Sequence, residues 1–315
     1  MNIGIDMMGG DFAPLEAVSG IQPYLSASLN QTVLVCLGDE ALIKPMLAEQ
    51  GMILPNIKTV HTSQVINMHE HPTRALKEKQ DSSIAVGFKM LATGEIDAFI
   101  SAGNTGAMLV GALHSIKAIK GILRPTISSV VPKLNGGTGV LLDVGLNTDC
   151  KPENLNQFAV MGSLYAKNIL GIENPRVALL NVGEEEGKGN LLARAAYPLL
   201  MENNKINFIG NIEGRDILFD KADVLVCEGF TGNVILKMAE SLYNIAIERQ
   251  LQHDAFFSRF NYEAVGGTPV LGVSKPVIIG HGISNATAFG NMMLLAEKML
   301  QCKLCKEIED GFANW

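Results

Sequence analysis

One hydrophobic pattern recurs along this chain: a short apolar run, a turn rich in glycine or acidic residues, and then a segment with helical spacing. The apolar runs are continuous rather than alternating, which is typical of parallel strands that are buried on both faces of a sheet. The pattern appears at residues 3–18, 97–106, 140–149, 177–190 and 223–233. It predicts an α/β protein with a mostly parallel sheet, in which ligands bind beside the carboxyl ends of the strands.

The turns after the apolar runs contain small residues, and their backbone N–H groups and helix N-termini are suited to an anion. The clearest turn lies in I-S-A-G-N-T-G-A-M-L at 100–109, which lacks the lysine of a P-loop and the spacing of a dinucleotide-binding loop. Residues 97–107 and 223–233 align without a gap and share an aspartate, two glycines and a threonine. One such turn can be purely structural. The repetition of these turns at strand ends predicts that together they line one anion-binding rim beside the carboxyl ends of the strands.

Composition narrows the class of protein. Hydrophobic residues make up 47% of the 315 residues and charged residues 18%, a balance that excludes disorder. The length fits a single domain over 1–315 or two close-packed lobes. The net charge of -7 argues against nucleic acid as a partner. We expect a cytoplasmic protein, since no apolar run is long enough to span a bilayer and the N-terminus lacks the features of a signal peptide.

The metal-binding patterns in the chain are weak. Cys302 and Cys305 form the only C-x-x-C pair, and neither a second pair nor a histidine cluster follows to complete a zinc site. His69 and His71 flank Glu70 in a polar loop before a proline, where surface residues are the commoner explanation. We therefore predict no metal and no cofactor.

The polar residues of the turns include no evident covalent nucleophile, because the chain has no G-x-S-x-G elbow and no nucleophile beside a general base. A bound phosphate could itself attack, since its second ionisation lies near neutral pH, about 6 for a monoester. Lys188, between two glycines, would hold such an anion or else be a solvated surface lysine. Asn233 is a further donor or a helix cap. His281 is a proton donor or a structural group, and Arg74 is a phosphate contact, a partner contact or a surface residue.

Seven motifs in order resemble the phosphate acyltransferase family, and they span nearly the whole chain. They are D-x-M-G-G-D-x-A-P at 6–14, S-A-G-N-T-G-A-M at 101–108, L-L-D-V-G-x-N at 141–147, L-L-N-V-G-E-E-x-x-K-G-N at 179–190, F-I-G-N-I-E-G-R-D at 208–216, E-G-F-T-G-N-V-I-L-K at 228–237 and G-G-T-P-V-L-G-V at 266–273. Members of that family make acyl phosphate from acyl-acyl carrier protein and inorganic phosphate, at the entry to bacterial phospholipid synthesis. The resemblance implies a three-layer α/β/α fold of the isocitrate/isopropylmalate dehydrogenase-like type, related to phosphotransacetylase.

The resemblance also implies roles for residues. Lys188 and Asn233 fall on catalytic positions of the family, with phosphate attacking the thioester directly and Lys188 stabilising the negative charge that develops. The N–H groups of Gly106 and Gly232 are expected as further donors. The loops at 101–106 and 228–233 fall on the substrate rim, and the loop at 101–106 would hold phosphate or the thioester end of the donor. The predicted substrate-binding residues are Asp6, Arg74, Gly103, Asn104, Thr105, Gly106, Glu228, Gly229, Thr231, Gly232 and His281, with no metal ligand.

The partners implied by the resemblance are acyl-acyl carrier protein, inorganic phosphate, a second copy of the chain and, downstream, a membrane-bound acyltransferase that forms acylglycerol phosphate. We expect the acidic carrier to dock on basic residues, with Arg74, Lys77, Lys79, Arg249 and Arg259 as candidates. Residues 236–262 are expected to form a helical segment at a homodimer interface, with weak membrane contact through the phenylalanines of 255–260.

The chain departs from the family pattern at four residues: Phe12 replaces a histidine, Glu228 replaces an aspartate, and H-G-I-S-N at 281–285 differs from H-G-S-S-D at Ile283 and Asn285. Other functions therefore stay open. A phosphotransacetylase that uses a small acyl-CoA would share the fold and the rim, whereas a non-catalytic binder of acyl chains or carrier protein would form no acyl phosphate. An NAD-dependent decarboxylating dehydrogenase is disfavoured, because neither a metal-carboxylate cluster nor a cofactor fingerprint is visible.

Overall fold

The computed structural model describes residues 1–28, 32–251, 253–313 and 315. The strands within these ranges are β1 (Asn2–Asp6), β2 (Val33–Gly38), β3 (Ile57–His61), β4 (Ala98–Ser101), β5 (Thr126–Pro132), β6 (Thr138–Leu142), β7 (Arg176–Asn181), β8 (Asn207–Glu213), β9 (Val224–Val226), β10 (Thr268–Leu271) and β11 (Val277–Ile279). Each of the predicted apolar segments contains one of them, so the prediction of a strand in each segment is confirmed.

The helices connect these strands. They are α1 (Leu15–Ser19), α2 (Ile21–Ala27), α3 (Glu40–Glu49), α4 (Pro72–Glu78), α5 (Ser83–Thr93), α6 (Thr105–Gly111), α7 (Pro152–Leu170), α8 (Leu191–Glu202), α9 (Gly229–Glu248), α10 (Tyr262–Val265), α11 (Ala286–Gln301) and α12 (Leu304–Phe312). A π-helical turn, Ala112–Ile116, continues α6, and two 3-10 turns lie at Gly214–Asp216 and Phe257–Phe260. No helix in the described ranges combines the length and the apolar composition needed to cross a membrane.

The chain divides into two compact units. The first unit comprises Met1–Ala118 and Tyr262–Cys305. Its strands follow the order β3-β2-β1-β4-β11-β10 and are parallel, except that β10 runs antiparallel to β11. Consecutive residues point to opposite faces of a strand, and both Ile3 and Gly4 are buried, so this sheet is covered on both faces. Helices α5 and α11 pack against β1 and β4.

The second unit comprises Ile119–Asn261 and Lys306–Trp315. Its strands follow the order β5-β6-β9-β7-β8, in which only the β5–β6 pair is antiparallel. Helix α7 packs directly on this sheet, because a Cβ at Gly162 would lie 2.6 Å from a methyl of Val224. The turns after β6, β9 and β7 leave the same edge of the sheet, since these three strands are parallel neighbours.

The expected α/β fold with a mostly parallel sheet is confirmed. The segment predicted at 236–262 differs in its bounds from the helix that forms. Helix α9 begins earlier, at Gly229, because the Glu228 side chain caps its N-terminus. It ends at Glu248, before the 3-10 turn at Phe257–Phe260.

Candidate functional site

In the first unit, the turns after β1 and β4 meet around the carboxylate of Asp6, which is fully buried. Its oxygens accept hydrogen bonds from Ser101 Oγ at 2.6 Å and from the N–H of Met8 at 3.0 Å. The Ser101 oxygen in turn accepts from the N–H of Gly103 at 2.9 Å. Burial raises the pKa of Asp6, although these hydrogen bonds oppose the shift. Asp6 therefore supports the two turns from beneath, and its side chain is not open to a ligand.

Asn104 stabilises the loop that we expected to hold an anion. Its Oδ1 accepts a hydrogen bond from the N–H of Ala107 at 2.9 Å and so caps α6. Its Nδ2 donates to the carbonyl oxygens of Asn67, Met68 and Glu70 at 2.9, 3.2 and 3.0 Å. The side chain is buried, and these contacts tie the loop before α4 to the start of α6.

The other predicted residues of the first unit differ in exposure. Gly106 lies against Pro72, since a Cβ there would be 2.3 Å from a proline carbon. Thr105 is exposed at the first position of α6, and His281 is half-buried. Arg74 lies exposed on α4, where its Nε is 2.8 Å from Oε1 of Glu78. The structure therefore leaves Arg74 and Thr105 open to a ligand.

In the second unit, the turn after β6 is built on the buried carboxylate of Asp143. It accepts hydrogen bonds from the N–H groups of Gly145 and Leu146 at 2.8 Å each and from that of Asn147 at 3.1 Å. The amide of Asn147 adds a fourth donor at 2.5 Å and also donates to the carbonyl of Pro125 at 2.9 Å. Burial raises the pKa of Asp143, and the four donors oppose that shift.

Glu228 closes the N-terminus of α9 with its own carboxylate. It accepts hydrogen bonds from the N–H of Phe230 at 2.6 Å and from the N–H of Thr231 at 3.1 Å, and from the Thr231 hydroxyl. The N–H of Gly232 donates to the Glu228 carbonyl at 3.0 Å, so this N–H is already used within the helix, in contrast to the predicted oxyanion donor. The first turn of α9 thus already holds an anion that belongs to the protein.

Gly229 and Gly232 bring α9 close to the turn after β6. A Cβ at Gly232 would lie 1.8 Å from the Asp143 carbonyl oxygen, and one at Gly229 would lie 2.8 Å from the Asn147 carbonyl oxygen. The N–H of Gly229 donates to that Asn147 oxygen at 2.7 Å. These two glycines therefore have a packing role.

Lys188 and Asn233 follow β7 and β9, which are adjacent parallel strands. The Lys188 side chain is 53% exposed, and its Nζ lies 3.9 Å from Oε1 of Glu185, at the limit of an ion pair. Asn233 is exposed as the fifth residue of α9, and its Cβ and Oδ1 would lie 3.5 Å from a Cβ at Gly145. Both residues therefore follow neighbouring parallel strands at the same edge of the sheet, with polar groups open to solvent, and Asn233 lies beside the Asp143 turn.

Two adjoining cavities open beside these turns in the second unit. One has a volume of about 280 Å³ and is lined by Leu155, Leu179, Leu180, Asn181, Val182, Asn190, Leu192, Ala193, Gly214, Cys227, Glu228, Thr231 and Ile235. The other, of about 450 Å³, shares some of that lining and is bounded by Thr148, Asp149, Cys150, Asn190, Leu192, Glu228 and Phe230. Burial raises the pKa of Cys150 to about 12 and also raises that of Cys227, so both thiols stay protonated at neutral pH.

Sequence reasoning missed several residues that shape these turns. The motifs at 101–108 and 141–147 contain Ser101, Asp143 and Asn147, but the sequence alone predicts no role for these three side chains. An aspartate that directly follows a buried strand and precedes V-G-x-N is a recognisable signal for a carboxylate that organises a turn. Among the described residues, no group of three or more histidine, cysteine, aspartate or glutamate side chains is arranged to hold a metal ion.

Comparison with known proteins identifies the chain's relatives. Residues 1–307 match the family model described as "Fatty acid synthesis protein". A phosphate acyltransferase of Dictyoglomus turgidum is 43% identical over 99% of this chain and 97% of its own length. A phosphate acyltransferase of Thermoanaerobacterium thermosaccharolyticum is also 43% identical, over 98% and 96%.

Solved structures with the same fold are more distant in sequence. A phosphotransacetylase from Streptococcus pyogenes matches with a TM-score of 0.70 and 16% identity, over 96% of this chain and 94% of that one. A branched-chain phosphotransacylase from Enterococcus faecalis matches with a TM-score of 0.63 and 16% identity, over 95% and 99%. These two likenesses establish the fold alone. The 43% identity to the two phosphate acyltransferases, together with the match to the family model, shows that the chain belongs to the phosphate acyltransferase family, whose members are enzymes of the acyltransferase class.

Proposed function

We propose that this protein transfers a long acyl chain from acyl-acyl carrier protein to inorganic phosphate, giving acyl phosphate and the free carrier thiol. The proposal rests on the placement of Lys188 and Asn233 in a member of this family. The two residues follow adjacent parallel strands, and their polar groups are exposed. An ammonium and an amide at one sheet edge suit an anion with several oxygens.

The reaction needs no covalent enzyme intermediate. An oxygen of hydrogen phosphate attacks the thioester carbonyl, a C–O bond forms, and the C–S bond breaks as the tetrahedral intermediate collapses. The proton of hydrogen phosphate ends on the departing thiolate, so atoms and charges balance without another reactant. The contribution of the protein is to position the two reactants and to stabilise the developing oxyanion.

We assign Lys188 and Asn233 to the phosphate and the oxyanion as catalytic residues. Asp6 is assigned as a positioning residue, because its buried carboxylate acts through Ser101 and the loop at 101–106. Glu228 is likewise assigned to positioning, since its carboxylate is engaged by α9. Thr105, Gly106, Arg74 and His281 stay predicted substrate contacts, as does Thr231.

The test is a phosphate-dependent thiol assay. Purified protein is incubated with palmitoyl-carrier protein, with and without phosphate, and acyl phosphate is trapped with hydroxylamine. Thiol release that requires phosphate and matches the trapped product supports the proposal. Release only from a short acyl-CoA would favour a phosphotransacetylase, which the shared fold makes the second candidate. Carrier binding without either product would indicate a non-catalytic binder.

A further inference from the structure

The cavity of about 280 Å³ in the second unit has mostly apolar walls. They come from α7, β7, α8 and α9, through Leu155, Leu179, Leu192 and Ile235. Leu155 and Leu179 are buried, whereas Leu192 and Ile235 are half-buried, so the cavity extends from the core towards the surface. A space with such walls suits an apolar ligand, because a polar ligand would leave hydrogen-bonding groups unpaired there.

The polar lining of this cavity comes from the turns that carry Lys188 and Asn233. Asn190 lies two residues after Lys188, and Thr231 lies two residues before Asn233. The Asn190 side chain is used as the cap of α8, where it accepts from the N–H of Ala193 at 2.8 Å. The Glu228 carboxylate, also in the lining, is held by the N–H groups of α9. The Oδ1 atom of Asn190 and the Glu228 carboxylate are therefore engaged within the protein, and the carboxylate disfavours a second anion beside it.

We propose that this cavity is the slot for the acyl chain of the donor, with the thioester end at the Asn190 and Thr231 turns and the chain tail against Leu155 and Leu179. The inference rests on the proposed function and deepens it by locating the apolar subsite. With a volume of about 280 Å³, the cavity has room for part of such a chain. The remainder of a longer chain lies towards Val182, which lines the cavity and is 80% exposed.

The adjoining cavity of about 450 Å³ supports this placement of the thioester end. It shares Asn190, Leu192 and Glu228 with the slot, and its other walls include Thr148 and Asp149. A polar space next to an apolar one lets the thioester and its carrier arm stay hydrated while the chain is buried. Asp149 disfavours phosphate in that space, because two anions would repel each other.

The decisive variant is Leu192→Trp, which adds bulk at a half-buried residue of the slot. Its matched control is Leu191→Trp, which makes the same substitution at the preceding position of α8, where the side chain is 80% exposed and lies outside the lining. We would measure kcat/KM for hexanoyl- and palmitoyl-carrier protein and the KM for phosphate. Circular dichroism identifies a variant that fails to fold, and Ile235→Trp then takes the place of Leu192→Trp.

We expect the palmitoyl-to-hexanoyl ratio of kcat/KM to fall about tenfold or more in Leu192→Trp, since lost space in an apolar pocket discriminates by chain length. The KM for phosphate and the ratio in Leu191→Trp should stay at the wild-type values. An unchanged ratio in a folded Leu192→Trp protein would overturn the slot, and so would equal losses with both acyl chains.

A binding measurement separates this inference from the proposed function. The fluorescent fatty acid cis-parinaric acid should bind the wild type and Leu191→Trp, and should bind Leu192→Trp at least about tenfold more weakly. A wild type that forms no acyl phosphate but shows this binding pattern would reject the proposed reaction and keep the slot. A wild type that turns over palmitoyl-carrier protein, with equal fatty-acid affinity in all three proteins, would reject the slot and keep the reaction.

Discussion

The Glu228 carboxylate accepts a hydrogen bond at 2.6 Å from the backbone N–H of Phe230, so the first turn of α9 is closed by an anion of the chain itself. Helix N-termini attract external anions because their N–H groups are unpaired and the helix dipole is positive there. Here those groups are occupied. Any donor open to an external anion at this turn is therefore a side chain, and the roles proposed for Lys188 and Asn233 rest on their side chains.

Glu228→Ala should lower the free energy of unfolding by about 1 kcal/mol, the usual effect of losing an N-cap side chain. The reason is that the N–H groups of Phe230 and Thr231 lose their acceptor. Urea denaturation measures the change. Glu186→Ala serves as the control, because it removes an exposed carboxylate from the same unit. Equal stability of the two variants would contradict the capping role.

Lys188→Ala should leave the fold intact and remove most of the turnover of acyl-carrier protein. Losing one partner of the oxyanion or phosphate raises the barrier by about 3 to 4 kcal/mol, which is roughly two to three orders of magnitude in rate. Lys237→Ala is the matched control, since that lysine is similarly exposed but pairs with Glu240 on α9. Activity near the wild-type level in a folded Lys188→Ala protein would show that Lys188 is a solvated surface residue without a catalytic role.

The sequence predicted the strands and the turns that follow them, because continuous apolar runs and small residues are local signals. It could not predict what the side chains of those turns contact. Asn104 looks like a ligand-binding residue in S-A-G-N-T-G, yet its amide is used by Asn67, Met68 and Glu70, which lie more than thirty residues away in the chain. Such partners become visible only when the tertiary fold brings them together.

The acyl slot was beyond the sequence for the same reason. Its walls come from four separate elements, and no single segment shows a pattern that differs from ordinary core packing.

The predicted basic docking residues include side chains that have structural partners within the protein. Lys79 is half-buried and pairs with Glu70 at 2.6 Å, while the Arg259 guanidinium donates to the carbonyl of Gly137 at 2.7 Å. A count of charges along the chain cannot distinguish such structural cations from open ones.

Asp223 should make the stability of the protein sensitive to acid. Burial alone would raise the pKa of Asp223, but hydrogen bonds from Arg176 and Lys133 outweigh it and hold the pKa well below its usual value. The stabilisation is therefore present above the unfolded pKa of about 3.9 and is lost as the pH falls towards the folded value. Urea unfolding should show the stability difference between the wild type and Asp223→Asn shrinking from about pH 5 to about pH 3.

The control for this pH dependence is Asp149→Asn, because Asp149 is an exposed aspartate of the same unit. The difference in the free energy of unfolding between Asp149→Asn and the wild type should change little from about pH 5 to about pH 3. A difference for Asp223→Asn that stays constant with pH would show that the Asp223 carboxylate is not preferentially stabilised in the folded protein.

Carrier-protein binding should be salt-sensitive and should depend on a basic groove in the first unit. The groove has a volume of about 450 Å³ and is lined by residues of α4, α5, α6 and the π-helical turn, among them Lys77, Lys89 and His114. All three are exposed, so an acidic partner can reach them. Attraction between exposed charges fades beyond a Debye length of about 8 Å at physiological salt. The KM for acyl-carrier protein should therefore rise with ionic strength.

The charge reversal Lys77→Glu plus Lys89→Glu should raise that KM about tenfold or more while leaving kcat near the wild-type value, since rim charges act mainly on encounter. Lys58→Glu, on the exposed surface of β3, is the control for a charge reversal outside the groove. A KM that does not respond to salt would indicate apolar docking, and equal effects of the Lys58 and Lys77/Lys89 variants would move the docking site elsewhere.

Helix α9 should mediate association with a second copy of the chain. Val234, Met238 and Ile245 are 53, 70 and 53% exposed, although all three are apolar. Their spacing places them on one face of the helix, and a partner would remove that face from water. Sedimentation at micromolar concentration should detect a dimer, and Met238→Glu plus Ile245→Glu should convert it to a monomer. Met201→Glu, at a 56% exposed position of α8, should remain dimeric.

The phenylalanines of residues 255–260, for which we expect weak membrane contact, are poorly placed for deep membrane insertion. Phe256 packs edge-on against Phe257 and Phe260, with ring centroids 5.5 and 5.1 Å apart, and Phe260 is buried. Interfacial binding requires exposed apolar area together with basic residues, and Arg259 beside these rings is engaged by backbone carbonyls. We therefore expect weak, reversible flotation with anionic vesicles that falls further in Phe256→Ser plus Phe257→Ser. Tight flotation that survives this double substitution would place the membrane contact on another surface.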